Sequence, residues 1–146
     1  MTTPTLILRF GLPVPAERVF AMFTRAEDLA RWFCDTAESD PQPGGRVRAT
    51  WIDEEGEPWA REGVWAELEP PHFARLAWRA ADGTDEEQLQ IGIAPSEEGC
   101  RVTIVTPVVN RPNLPPDVVE DAVRQGWQRA FDVLEALLRA DPPPRP

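Results

Sequence analysis

Hydrophobic and polar positions follow a helical period near the start of the chain and again at its end, and they alternate in twos between. TLILRF (5–10) is a short apolar run closed by Gly11 and Pro13, which predicts a first strand. Pro15 suits a helix start, where the N–H it lacks would have no partner. In PAERVFAMFTRAEDLARWF, Val19, Phe20 and Phe23 form one apolar stripe and Leu29, Trp32 and Phe33 another. Thr24 followed by Glu27 has the form of a capping box. Two short helices are therefore expected, about 15–23 and 25–33, with a break at Thr24.

Asp35 to Pro43 is polar and proline-bearing, and reads as a loop. After Gly44-Gly45, read as a turn, RVRATWI puts Val47, Ala49 and Trp51 on one face in period 2. DEEGEP (53–58) is a hairpin connection with Gly56 at the positive-φ position, and the return strand covers about 60–69. FARLAWRA places Leu76 and Trp78 together, and Asp82-Gly83 marks the next tight turn. EQLQIGI points Leu89, Ile91 and Ile93 inward and Gln88 and Gln90 outward. Glu98-Gly99 then turns the chain into CRVTIVT, where Val102, Ile104 and Thr106 share a face.

PVVNRPNLPP (107–116) is a stiff loop, because proline removes ladder donors. Pro115-Pro116-Asp117 opens the strongest helical pattern, in which Val119, Val123, Trp127, Ala130, Phe131, Leu134 and Leu138 make one stripe. Residues 1–140 read as a single domain, and 141–146 as a proline-rich disordered tail. The fold class is α+β: a curved antiparallel sheet of about six strands around a long C-terminal helix, with two short helices after strand 1. One narrow helix cannot fill the concavity of so broad a sheet, so a cavity between them is expected.

Composition narrows the chemistry. All 15 positive charges are arginine, and tyrosine is absent as well as lysine. Schiff-base, pyridoxal-phosphate and Walker-lysine chemistry are thereby excluded, as is a phenolic acid or nucleophile. One histidine (His72) and two serines (Ser39, Ser96) leave little for a Ser-His site or a histidine metal site. A net charge of −10 argues against nucleic acid or an anionic membrane as partner. Cys34 and Cys100 lack metal or redox-motif spacing; Cys100 reads as a buried hydrophobe, and Cys34, after an aromatic pair, as a structural residue or else a partly exposed thiol. No signal peptide and no membrane-length apolar run is found, so a cytoplasmic location is expected.

A family resemblance joins these pieces. PAERVFAMFTRAEDLARWF, PGGRV, GVWAELEPP (63–71), LAW, EEGCRVTI and the GW of 126–127 follow one another in an order that resembles the Hsp90-ATPase-activator-homologue-like branch of the START/Bet v 1 (SRPBCC) superfamily, over about residues 5–139. The resemblance implies a helix-grip fold with a hydrophobic pocket between sheet and last helix. Members bind lipids, sterols, polyketides and other apolar molecules, and a minority are cyclases or hydrolases. Two positions depart from the pattern: Thr106 stands where many members carry histidine, and Gly99-Cys100 replaces a glycine-threonine pair. The co-chaperone that names the family has a further N-terminal domain not found here, so direct activation of Hsp90 is not expected.

The expected ligand is a small apolar or aromatic molecule, held by Trp32, Phe33, Trp51, Trp65, Trp78, Ile91, Thr106, Trp127 and Phe131. Thr106 and Gln90 would add polar contacts, while the 107–116 loop and the short helices would gate entry. No catalytic residue, metal or cofactor is assigned. A cyclase or hydrolase in the same pocket would need Glu67, Asp35 or His72. A third reading is a protein-interaction module, including a homodimer. Trp65 has two settings: if Val64, Ala66 and Leu68 face inward, it points out toward a second copy. If it points in, Glu67 follows it as a buried carboxylate. Gly126 sits mid-helix at a cost of about 1 kcal/mol against alanine, which points to close packing there or, as the alternative, to space used by the pocket. The acidic pairs Glu54-Glu55, Glu86-Glu87 and Glu97-Glu98 read as solvated turn ends. Arg46, Arg48, Arg61, Arg75, Arg79 and Arg101 read as the outer face of the sheet.

Overall fold

The computed structural model describes residues 5–79, 86–108 and 113–140. Along the chain run β1 (Thr5–Leu12), α1 (Ala16–Thr24), α2 (Ala26–Trp32), β2 (Thr36–Ser39), β3 (Arg46–Ile52), β4 (Pro58–Glu69), β5 (Phe73–Arg79), β6 (Glu86–Ser96), β7 (Gly99–Pro107) and α3 (Pro116–Ala140). The strands form one seven-stranded sheet in the order β1-β7-β6-β5-β4-β3-β2, antiparallel throughout. The fold is α+β and helix-grip in kind, with a curved sheet and a long C-terminal helix. The Asp82-Gly83 turn, positions 109–112 of the proline-rich loop and the 141–146 tail lie outside the described residues.

The seventh strand is a correction. Part of the segment expected as loop pairs with β3, Thr36 opposite Thr50 and Ser39 opposite Val47. Its polar composition suits an edge strand, which is covered on one face only and has one row of hydrogen bonds to satisfy. The capping box is a second correction. Thr24 ends α1 and donates its hydroxyl to Phe20 O at 2.9 Å, so its side chain does not cap α2. Gly56 does take the left-handed conformation, φ 84°. Asp53 Oδ1 organises the same hairpin by accepting from the backbone N–H groups of Glu55 and Glu57.

The decisive local feature is a bulge in β4. Trp65 pairs with Leu76 but Glu67 pairs with Arg75, two residues against one, so Ala66 is the extra residue. Neither simple alternation holds across it. Trp65 turns inward and is 1% exposed, and Leu68 packs against the core, while Glu67 stays outside. Trp65 is thus removed as a contact for a second copy, and Glu67 is no buried carboxylate; it meets Arg75 at 2.9 Å on the outer face.

α3 lays Phe131, Leu134 and Leu138 into the main core. Phe131 stacks on Phe10 with ring centroids 3.8 Å apart and also touches the rings of Phe23, Trp32 and Trp127. Truncating so buried a ring costs about 3–5 kcal/mol. Nearer the helix start, Val119 joins Leu6 and Val108 in a smaller cluster. Among the described residues, no helix is long and apolar enough to cross a membrane.

Candidate functional site

A small cavity of about 20 Å³ lies on the inner face of the sheet. β3 supplies Val47 and Ala49 to its wall, β4 Trp65, β5 Leu76 and Trp78, and β6 Leu89 and Ile91. Phe23, Leu29, Phe33 and Trp127 close it from the helical side. Every lining residue is apolar. In this closed form the space suits about one water molecule.

Five of the nine residues expected from the sequence line this cavity: Phe33, Trp65, Trp78, Ile91 and Trp127. The other four lie elsewhere. Trp32 and Phe131 belong to the packed core, where Trp32 donates its indole N–H to Met22 O at 2.9 Å. Trp51 stands beside the cavity rather than in its wall; its N–H goes to Phe33 O at 2.8 Å and its ring stacks on Trp59. Thr106 is half-buried opposite Leu6, away from the lining. Gln90 pairs with Arg75 and Val105 and points away from the Leu89 and Ile91 face. The lining also includes Phe23, Leu29, Val47, Ala49, Leu76 and Leu89, which the sequence marked as inward-facing or as stripe residues but not as wall.

Most of the lining sits on strands, where displacement would break ladder bonds. Phe33 and Trp127 differ: both are only partly buried, and their rings lie 6.2 Å apart. Phe33 is also in ring contact with Trp32, Trp51 and Trp78. Gly126, beside Trp127, does not mark a close approach: a Cβ there would have nothing within 4 Å. The close approach belongs to Gly63, where a Cβ would lie 2.7 Å from Ala77 O and 3.1 Å from the Trp78 ring.

Arg61 and Glu87 correct the charge pattern. Arg61 pairs across the ladder with Ala49, and Glu87 with Trp78, so both stand on the inner face. Their ion pair is 2.7 Å long and each side chain is 21% exposed. The Arg61 guanidinium carbon lies 5.3 Å from the Trp78 ring centroid. The outward arginines do follow expectation at Arg48, which meets Glu62, and at Arg75.

The residues considered for acid–base work lie outside the cavity. Glu67 is on the outer face with Arg75. Asp35 accepts the Ile52 N–H at 2.7 Å, and the exposed His72 ring is 3.3 Å from Ile93 O. Both cysteines are buried and free. Burial pushes the Cys34 thiol up to about 11, with the nearby Asp35 charge adding to the rise. Burial, and then the Glu17 charge, raise Cys100 as well. Among the described residues, no three His, Cys, Asp or Glu side chains are grouped to hold a metal ion.

Comparison with known proteins agrees with this geometry. The family model described as Activator of Hsp90 ATPase homolog 1-like protein matches residues 13–139. A crystal structure from Chromobacterium violaceum is 27% identical, with TM-score 0.78 over 94% of this chain and 99% of the other. One from Rhodobacter sphaeroides is 22% identical, TM-score 0.77, covering 93% of this chain and 92% of that one. The solution structure of an AHSA1-like protein from Aeromonas hydrophila is 16% identical, TM-score 0.75, covering 94% and 93%. No curated protein matches the chain. The matched span, the sheet order and the long last helix together carry the conclusion that this chain belongs to the activator of Hsp90 ATPase homolog 1-like family.

Proposed function

We propose that the protein binds one small apolar or aromatic molecule between the sheet and α3. The observation that carries this reading is the cavity: its wall is wholly apolar, it includes four aromatic rings from helices and strands besides Phe23, and it lies where the fold leaves sheet and helix unfilled. Ligand sites for small organic molecules occupy about 300–1,000 Å³. The cavity must therefore widen on binding, and of the wall residues held by no sheet ladder, Phe33 and Trp127 are the two that are only partly buried. No side chain in the wall exchanges protons, which favours binding over turnover. Two free, buried thiols fit a reducing compartment, and we place the activity in the cytoplasm.

Titration with a panel of lipids and uncharged aromatics, read by tryptophan emission, tests the proposal. Trp65, Trp78 and Trp127 line the cavity, so a bound guest is expected to shift their emission. Unchanged emission across the whole panel would remove the reading. A protein-interaction role has one observation in its favour: Trp59, stacked on Trp51, is 48% exposed. Light scattering that reports a concentration-dependent complex, lost in Trp59→Ser, would support it.

A further inference from the structure

The apolar wall says nothing about what orients a guest, but one buried donor beside it does. Arg61 Nε is buried and has no hydrogen-bond partner among the described residues. Nη2 of the same guanidinium donates to Glu87 Oε2 at 2.7 Å and to Arg79 O at 3.3 Å. Buried donors are ordinarily paired, and an unpaired one on a cation is costly. The other orphan of this kind, Arg75 Nε, belongs to the outer face with Glu67 and looks away from the cavity. Arg61 stands instead on the inner face, beside lining residues. Its cross-strand neighbour Ala49 is a lining residue, and its guanidinium lies over Trp78, another.

We propose that Arg61 Nε–H is the polar contact the cavity offers its ligand, and that the ligand is a small flat molecule bearing a neutral carbonyl or hydroxyl oxygen at one edge. This rests on the binding reading above. Glu87 already balances the Arg61 charge, so an anion would bring an unmatched charge into a partly dry site. A neutral acceptor satisfies the donor without one. Flatness follows from two rings of the wall, one of which, Trp78, lies under the guanidinium. Phe33 and Trp78 are within 17° of parallel with centroids 6.3 Å apart. Parted to about 7 Å, twice a carbon–carbon contact of about 3.5 Å, they accept a single planar layer.

Calorimetric titration with three matched probes tests the assignment: 2-acetylnaphthalene, 2-isopropenylnaphthalene, which has the same shape and no acceptor, and 2-naphthoate. The ketone is expected to bind about tenfold tighter than the alkene, the effect of one hydrogen bond to a charged donor, with the carboxylate no tighter than the ketone. Arg61→Lys keeps a cation for Glu87 but has no Nε–H donor at that position. It is expected to bring ketone and alkene within about twofold while leaving the alkene unchanged. Arg61→Met is expected to do the same, and Arg61→Lys carries the test if that variant fails to fold. Equal binding of ketone and alkene to the unaltered protein overturns the assignment and spares the binding reading. So does a ketone preference that survives Arg61→Lys, or tighter binding of the carboxylate. Binding of no probe at all overturns both.

Discussion

Phe33, one residue past the end of α2, and Trp78, near the end of β5, hold their rings within 17° of parallel across 6.3 Å and line the same apolar cavity. The two are held very differently. Trp78 sits on an inner strand with Gly63 packed against its ring and Arg61 over it. Phe33 has a pinned backbone, since its N–H donates to Leu29 O and its carbonyl accepts the Trp51 indole, but its ring is only partly covered.

A ring that must swing for a guest to enter sets the rate of entry. Phe33→Ala is expected to raise the association rate of 2-acetylnaphthalene at least about tenfold and to speed dissociation too. Stopped-flow fluorescence separates the two rates. Faster dissociation with unchanged association would make Phe33 ordinary wall.

Gly126 occupies a mid-helix position with open space where a Cβ would go. Gly126→Ala is therefore expected to stabilise the fold by about 0.5–1 kcal/mol through helix propensity. Urea unfolding measures this, and a loss of stability would restore the close-packing explanation.

Gly63 is the opposite case. Its missing Cβ keeps β4 clear of Ala77 O and of the Trp78 ring, both inside ordinary contact distance. Gly63→Ala is expected to cost about 1–3 kcal/mol, with a change in the near-ultraviolet circular dichroism of the displaced indole. The two glycine variants together form an internal control, since they carry the same substitution with opposite signs.

Burial raises Cys34 from 9.0 to about 11, so the folded state holds this proton more tightly than the unfolded chain does. The stability this contributes is fully present below pH 9 and is lost as pH rises toward 11. In Cys34→Ala the decline of stability over that window is expected to be shallower. Native protein at pH 8 is expected to react with thiol reagents only on unfolding, because thiolate is scarce and the group is covered.

The fold was legible because its long elements have strong periods. The α3 stripe and the Leu89-Ile91-Ile93 face lie as the alternation says. β2 was not legible, because an edge strand covered on one face carries the same polar residues as a loop. The bulge at Ala66 was not legible either: an added residue has no signature in an alternation of Val64, Trp65, Ala66 and Glu67, so both settings considered for Trp65 failed in part. Of the candidate site, the aromatic content was readable, but the partition between wall and core was not. Trp32 and Phe131 are as aromatic as Trp78 and Trp127, and only the helix–sheet packing sends the first two into the core. Arg61 reads as an outer-face residue in the sequence because the strand arginines alternate with apolar positions. Its pairing with Ala49 places it inside.

The central claim, one small molecule held between sheet and α3, is met most directly by native mass spectrometry of the protein from the cells that make it, before and after incubation with excess 2-acetylnaphthalene. The expected spectrum shows a single added small mass at one per chain, either carried from the cell or gained from the naphthalene. It is expected to be lost in an Ala49→Phe variant that fills the cavity. A bare polypeptide mass in both samples, under conditions that keep the chain folded, would contradict it.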